Sequence, residues 1–384
     1  MKDFIATTLY GLEQVLADEL TSLGADSVRA HNRAVAFSGD KQMLYRANYH
    51  LRTALRVLKP LRAFPARNEE DIYNGIKDIV WEGIMGPEST LAVETVLVSQ
   101  VYKHSGFISL KVKDGIVDRF RDRTGKRPSV DLKNPDVRIH VHLGDTHCNV
   151  SLDSSGESLH KRGYRTQGFM APLNEVLAAG LIKLSGWEPG MRFVNPMCGS
   201  GTLAIEAGIM ARGLPGGYFR SGFGFQAWKD YEPDLFESVR KERFLREYKD
   251  SEIMACDLAF PAIRAAQQNL ARAGLLGKID LVKSDFESWQ LSPGTGIIIM
   301  NPPYGERMEE TGLEQLYKNI GDTLKRNFPG YQAWIFSGNQ EAMKYVGLKT
   351  SRKLTLFNGP IKCKYNQYEL YDGSKKKIHH DNPV

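Results

Sequence analysis

Apolar and polar residues alternate over residues 4–9, apolar residues recur at helical spacing over 12–23 up to Gly24, and alternation resumes over 28–37. The pattern predicts strand, helix and extended chain in a small α+β unit of residues 1–52. Residues 53–160 give a second α+β stretch: strands over 54–64 and 91–99, helices over 69–80 and 108–123. Residues 137–141 and 147–152 form a hairpin turning at Gly144-Asp145. Beyond about residue 160 strand and helix signals alternate. Strands are expected over 192–195, 253–257, 279–282, 296–300 and 333–337, and helices over 202–212, 262–273 and 313–328. That rhythm predicts a parallel sheet with helices on both faces. Residues 353–357 and 363–371 flank Asn358-Gly359-Pro360, a hairpin signal that adds an antiparallel pair at one edge.

Composition narrows the class. A chain of 384 residues suits two or three domains at roughly 100–200 residues each. No apolar run approaches the ~18 residues of a membrane span, and Asp3, Thr7 and Thr8 interrupt any signal-peptide core. A cytoplasmic protein without a membrane partner is expected. The four cysteines stand far apart with no metal-ligand spacing, so they read as reduced thiols and no metal is expected. The net charge of +6 is compatible with a nucleic-acid partner. Residues 101–130 hold eight Lys/Arg against three Asp, nearly the whole excess. That stretch reads equally as a phosphate-binding face and as a solvated helix face.

The candidate chemistry lies in the third region. Residues 195–202 (NPMCGSGT) fall where a strand ends and a helix begins; glycines there let the backbone turn tightly and approach a ligand. No Lys follows them, which argues against a phosphate-binding P-loop. The next strand ends in Asp257, a carboxylate placed to accept both ribose hydroxyls of a nucleoside. It lies 56 residues after Gly201, too far for a plain dinucleotide fold. An insertion over about 213–251 accounts for the excess. Its aromatics (Tyr218, Phe219, Phe223, Phe225, Trp228, Tyr231) are read as a packed satellite core in preference to a base-stacking surface. After the third strand, Asp285 is placed to take an adenine amino group and Phe286 to cover the ring.

Asn301-Pro302-Pro303-Tyr304 follows the apolar strand directly. A base or amide amine is a poor nucleophile because its lone pair is delocalised. Acceptors at the Asn301 side chain and the Pro302 carbonyl can take both its N–H bonds and orient that lone pair, and prolines present such acceptors without donors of their own. Tyr304 offers a face for an extruded base. Seven strands with a terminal hairpin is the count of the class I (Rossmann-like, seven-stranded) methyltransferase sheet.

Together these stretches resemble the THUMP-domain RNA guanine-N2 methyltransferases, above all the enzymes that modify 23S ribosomal RNA of the large subunit. The resemblance rests on residues 125–131 (GKRPSVD), 159–165 (LHKRGYR), 171–173 (APL), the glycine turn, residues 301–307 (NPPYGER), Tyr317, Asn358-Gly359 and Tyr365, and covers nearly the whole chain. It implies a ferredoxin-like unit over 1–52, a THUMP domain over 53–160 and an S-adenosylmethionine-dependent methyltransferase domain over 161–384. It implies cofactor contacts from Asn195, Pro196, Cys198, Gly199, Ser200, Gly201, Thr202, Asp257, Leu258, Asp285 and Phe286. Catalysis is expected from Asn301, Pro302, Pro303 and Tyr304, and RNA contacts from Arg121, Arg123, Lys126, Arg127, Lys161, Arg162 and Arg165. The product implied is N2-methylguanosine in 23S ribosomal RNA. Guanine-N2 in transfer RNA, adenine-N6, and a non-catalytic RNA-binding assembly factor are the alternatives. The family usually has Asp where this chain has Asn195, which would weaken the water-bridged hold on the cofactor amine. With no second methyltransferase domain before Val384, a single reaction is expected. Cys198 reads as a turn residue and not a nucleophile, Lys375–Lys377 and His379-His380 as a solvated tail, and Glu306 and Arg307 as substrate-loop or surface residues.

Overall fold

In the computed structural model, residues 1–165, 173–242, 250–304 and 310–371 are described. The chain divides into two compact units, Met1–Gly163 with Pro215–Arg246, and Tyr164–Leu214 with Glu247–Val384.

In the first unit, strand β1 (Lys2–Thr7) turns Phe4 and Ala6 inward against helix α1 (Glu13–Ser22), whose Leu16, Ala17 and Leu20 form the matching apolar stripe. The extended stretch expected over 28–37 is two strands, β2 (Asp26–His31) and β3 (Ala34–Gly39), reversing at Arg33 in the left-handed region (φ 56°). Asn-Arg carries no glycine to announce that turn. Helix α2 (Lys41–His50) was not predicted. Asp40 caps it, accepting from the Met43 N–H (2.8 Å), and seven of its ten residues are buried, including polar Asn48 and His50. Buried polar residues such as these read as solvent-facing and break the apolar stripe that marks a helix.

Strand β4 (Arg56–Pro65) pairs with β1 on one side and with β8 (His147–Asp153) on the other. It therefore fuses the two α+β stretches into one eight-stranded sheet, ordered β2-β3-β1-β4-β8-β7-β5-β6. The remaining elements are α3 (Glu69–Lys77), β5 (Thr90–Leu97), α4 (Ser105–Thr124), β6 (Ser129–Val130) and β7 (Val137–Leu143). Gly125 ends α4 in the left-handed region (φ 69°), and β7 and β8 form the expected hairpin.

The inserted aromatics pack in this unit. Phe223, Phe225, Trp228 and Phe236 join its core beside Tyr45 and Tyr49, with Tyr45 and Phe225 stacked at 4.4 Å. Phe236 belongs to helix α7 (Pro233–Lys241), and Arg46 of α2 pairs with Glu242 at 2.6 Å. Tyr218 remains exposed.

The second unit is a seven-stranded sheet. Its strands are β9 (Phe193–Pro196), β10 (Ile253–Asp257), β11 (Asp280–Lys283), β12 (Ile297–Met300), β13 (Gln332–Ser337), β14 (Thr350–Asn358) and β15 (Ile361–Glu369), ordered β11-β10-β9-β12-β13-β15-β14. Only β15 runs against its neighbours. Helices α6 (Thr202–Ala211), α8 (Phe260–Arg272) and α9 (Glu310–Asn327) lie where expected. Helix α5 (Glu175–Leu184), capped by Asn174 and with eight of its ten residues buried, was not predicted. The class I methyltransferase fold is thus present, as are the two α+β stretches before it. No described helix is long and apolar enough to cross a membrane.

Phe225 is fully buried between Tyr45 and Phe236. Phe225→Ala is expected to destabilise the protein by about 3–5 kcal/mol, read as a lower midpoint in chemical denaturation; a midpoint equal to wild type would mean the insertion does not belong to this core.

Candidate active site at the carboxyl ends of the parallel strands

From β9 the sheet order runs outward both ways, through β10 and β11 on one side and through β12 and β13 on the other. Such a reversal leaves a crevice beyond the strand ends, where open α/β sheets bind ligands. β9 and β12 are paired at Phe193↔Ile297 and Val194↔Ile298 only. Beyond that the Asn195 amide, 1% exposed, spans the gap by donating from Nδ2 to the Ile299 carbonyl at 2.9 Å. The Asn195 Oδ1 is buried with no hydrogen-bond partner.

The turn after β9 winds through three left-handed residues, Met197 (φ 54°), Gly199 (φ 55°) and Gly201 (φ 81°). A side chain at Gly201 would put its Cβ 3.2 Å from the Ala266 Cβ, so conformation and space both favour glycine there. Cys198 N–H donates to the Cys256 carbonyl (2.9 Å), and Gly201 begins α6 without a side-chain cap. Pro196, Ser200 and Thr202 are buried in this turn. Burial and the nearby Asp257 carboxylate push the Cys198 thiol well above its ordinary pKa, so it stays protonated, in keeping with a turn residue.

Asp257 is half-buried at the end of β10. Its Oδ2 accepts from Gly199 N–H (2.8 Å) and its Oδ1 from Ala259 N–H (2.9 Å). Each oxygen is oriented by one backbone donor and retains a lone pair. Beside it Leu258 and Phe260 are exposed, at 67% and 63%. Asp285 is exposed after β11. Phe286 departs from expectation: it is 2% exposed, stacked on Phe328 at 5.5 Å inside the core, and presents no face to a ligand. Phe260 is the exposed ring near the strand ends that sequence reading passed over. The sign is its place off the buried stripe of α8, Ala262, Ile263, Ala266 and Leu270.

β12 is wholly buried and delivers Asn301 to the crevice. The Asn301 Oδ1 is buried without a hydrogen-bond partner. Pro302 is buried, Pro303 exposed and Tyr304 half-buried. Tyr304 accepts at its hydroxyl from Asn358 Nδ2 (2.8 Å), and burial holds its pKa above the ordinary tyrosine value. Tyr317 shares a buried hydrogen bond with Ser337 (2.6 Å), and Tyr365 donates to the Leu181 carbonyl (3.0 Å).

The basic residues divide. Arg121 pairs with Asp118 (2.8 Å), Lys126 with Glu88 (2.9 Å) and Lys161 with Glu157 (2.8 Å), all at exposed positions, while Arg123 and Arg127 are exposed nearby. Within residues 101–130, where Lys and Arg exceed Asp by five, acids from outside the stretch meet two of those charges, Glu88 on Lys126 and Glu82 on Arg119. Arg162 is not an RNA-facing residue: it is 2% exposed and donates to the Leu159 and Arg52 carbonyls. Arg165 departs from expectation too. It donates to Glu175 (2.8 Å), the Leu173 carbonyl (2.9 Å) and Thr202 Oγ1 (3.1 Å), at the start of α6, and its Nη1 is buried without a partner. Ala171, Pro172, Gly305, Glu306, Arg307, Lys375–Lys377 and His379-His380 lie outside the described residues.

Three family models match the chain: an RlmL ferredoxin-like domain over residues 3–58, a THUMP domain over 66–153, and an RMKL-like methyltransferase domain over 162–367. A Synechocystis sp. protein, a candidate RNA methyltransferase, is 40% identical over 96% of this chain and 97% of its own. The ribosomal RNA large subunit methyltransferase K/L of Syntrophotalea carbinolica is 37% identical over 96% of this chain and 53% of its own, so the chain spans about half the length of that relative. The solved structure of SMU.472, a candidate methyltransferase in complex with S-adenosylhomocysteine, superposes with a TM-score of 0.87 at 28% identity, covering 97% of this chain and 99% of the other. More than half of the sequence falls within a single matching domain, laid out on the sheet and crevice described above, and the chain belongs to the RMKL-like methyltransferase family.

Proposed function

We propose that this chain transfers a methyl group from S-adenosylmethionine to the exocyclic 2-amino group of a guanine in large-subunit ribosomal RNA, giving N2-methylguanosine. The carrying observation is the Asn301 Oδ1, a buried acceptor without a donor at the switch point of the sheet. A buried polar atom left unpaired costs roughly 1–3 kcal/mol, and an arriving amine relieves that cost. The domain order and the K/L relatives support RNA as the substrate class.

The residues present fit the cofactor. Asp257, held by Gly199 and Ala259, has acceptor capacity for two ribose hydroxyls. The Asn195 Oδ1 is an unpartnered acceptor suited to an ammonium group, and the uncapped start of α6 suits a carboxylate. Leu258 and Phe260 supply apolar cover for an adenine in place of Phe286. When bound, S-adenosylmethionine supplies an electrophilic methyl group.

The chain's own residues prepare the nucleophile. Asn301 Oδ1 and the Pro302 carbonyl accept the two N–H bonds of the amine, which turns its lone pair out of conjugation with the base. Tyr304 holds the extruded base by stacking, and its hydroxyl stays protonated, so it takes no proton from the amine. The proton shed by the methylated amine passes to water. Orientation and fixed dipoles carry the rate enhancement.

Mass spectrometry of ribosomal and transfer RNA nucleosides from a deletion strain is expected to show loss of N2-methylguanosine from large-subunit RNA. Loss from transfer RNA, or of N6-methyladenosine, would overturn the substrate assignment. Asn301→Ala is expected to abolish single-turnover methyl transfer with cofactor affinity nearly intact, whereas a wild-type rate would remove Asn301 from the mechanism. Asp257→Ala should weaken S-adenosylmethionine binding about tenfold to hundredfold, the value of losing a charge-assisted hydrogen bond of roughly 1.5–3 kcal/mol. Titration calorimetry showing unchanged affinity would exclude its ribose role.

A further inference from the structure

The far end of Tyr304 is held by the terminal hairpin. Asn358, the last residue of β14, donates to the Tyr304 hydroxyl at 2.8 Å across 54 residues of sequence. Cys363, a fully buried residue of β15 whose thiol donates to the Ile361 carbonyl at 3.5 Å, belongs to the same hairpin. Gly338, just after β13, lets the ring edge lie against bare backbone: a Cβ there would stand 2.9 and 3.0 Å from the Tyr304 Cδ2 and Cε2. The hydroxyl is thus held by an amide donor, while the ring edge rests on a glycine.

We infer that Asn358 is a positioning residue for the substrate base: through the Tyr304 hydroxyl it fixes where the ring on which the base stacks stands over the site, while Gly338 restricts the turn of its plane. The inference rests on the reading of Tyr304 as the stacking face. A ring joined to the backbone by two single bonds turns about both of them, and stacking fixes a base only as well as the ring itself is fixed. A hydrogen bond at the para position, farthest from the Cα, has the longest lever against rotation about the first bond; the para oxygen lies on the axis of the second, about which the close packing of the ring edge on Gly338 restricts the ring. In-line transfer tolerates little misplacement of the amine, so loss of this anchor falls on the rate and not on the cofactor.

A double-mutant cycle tests it. Asn358→Ala, Tyr304→Phe and the double variant are compared by single-turnover transfer to in vitro transcribed large-subunit ribosomal RNA, with cofactor affinity by calorimetry and thermal midpoints as folding controls. A hydrogen bond of this kind is worth roughly a 2- to 10-fold change. Asn358→Ala should slow transfer by about that factor with unchanged cofactor affinity and midpoint. In the Tyr304→Phe background, which lacks the hydroxyl, it should cost nothing more. Independent, multiplicative losses would overturn the inference, because Asn358 would then act elsewhere, and so would a wild-type rate for Asn358→Ala. Tyr304→Ala separates the two levels: a wild-type rate there defeats the stacking reading itself. A large loss there, beside an unaffected Asn358→Ala, defeats only the positioning role.

Discussion

The site depends on one divergence. β9 and β12 are neighbours for two residue pairs and then part, because the chain leaves β9 toward α6 and β12 toward the proline pair. The single Asn195-to-Ile299 hydrogen bond holds the separation where it begins. A carboxylate there could not donate to that carbonyl unless protonated, so the amide has a physical role of its own. It anchors the crevice with one end and leaves an acceptor at the other. Asn195 and Asn301 stand at the ends of adjacent strands, each with an unpaired carbonyl oxygen. One suits a cation and the other a neutral amine.

Around that divergence the turn is over-determined. Three left-handed residues, a backbone bond from Cys198 to Cys256 and the carboxylate of Asp257 on Gly199 fix the loop before any ligand arrives. The strain of a left-handed Met197 is tolerated because its neighbours are pinned. The opposite wall is built differently, from side chains that reach back from the terminal hairpin.

What the sequence disclosed follows from what each signal measures. Glycines, Asp257 and Asn301-Pro302 were legible because strand ends and turn chemistry are local properties. The five parallel strands were legible as short runs bounded by breakers, and the last two, longer and more polar, through the Asn358-Gly359 turn between them. Helix α2 was not, because its buried Asn48 and His50 read as solvent-facing positions. Helix α5 was missed although α6, buried to the same degree, was found from the glycine turn before it. The fates of Arg162, Arg165 and Phe286 were equally hidden. An arginine reads as a surface cation until its tertiary partners are known, and those partners were backbone carbonyls, a buried glutamate and a threonine hydroxyl. The inserted aromatics could be assigned to a core from their composition, but nothing local told which core.

That last point bears on biosynthesis. Tyr45 and Tyr49 emerge from the ribosome early, yet the rings that complete their packing, Phe225 and Phe236, follow about 180 residues later. At roughly 5–20 residues per second, the nascent amino-terminal unit waits on the order of ten seconds or more with an unfinished aromatic surface. Its first 163 residues are therefore a folding fragment and not a finished module.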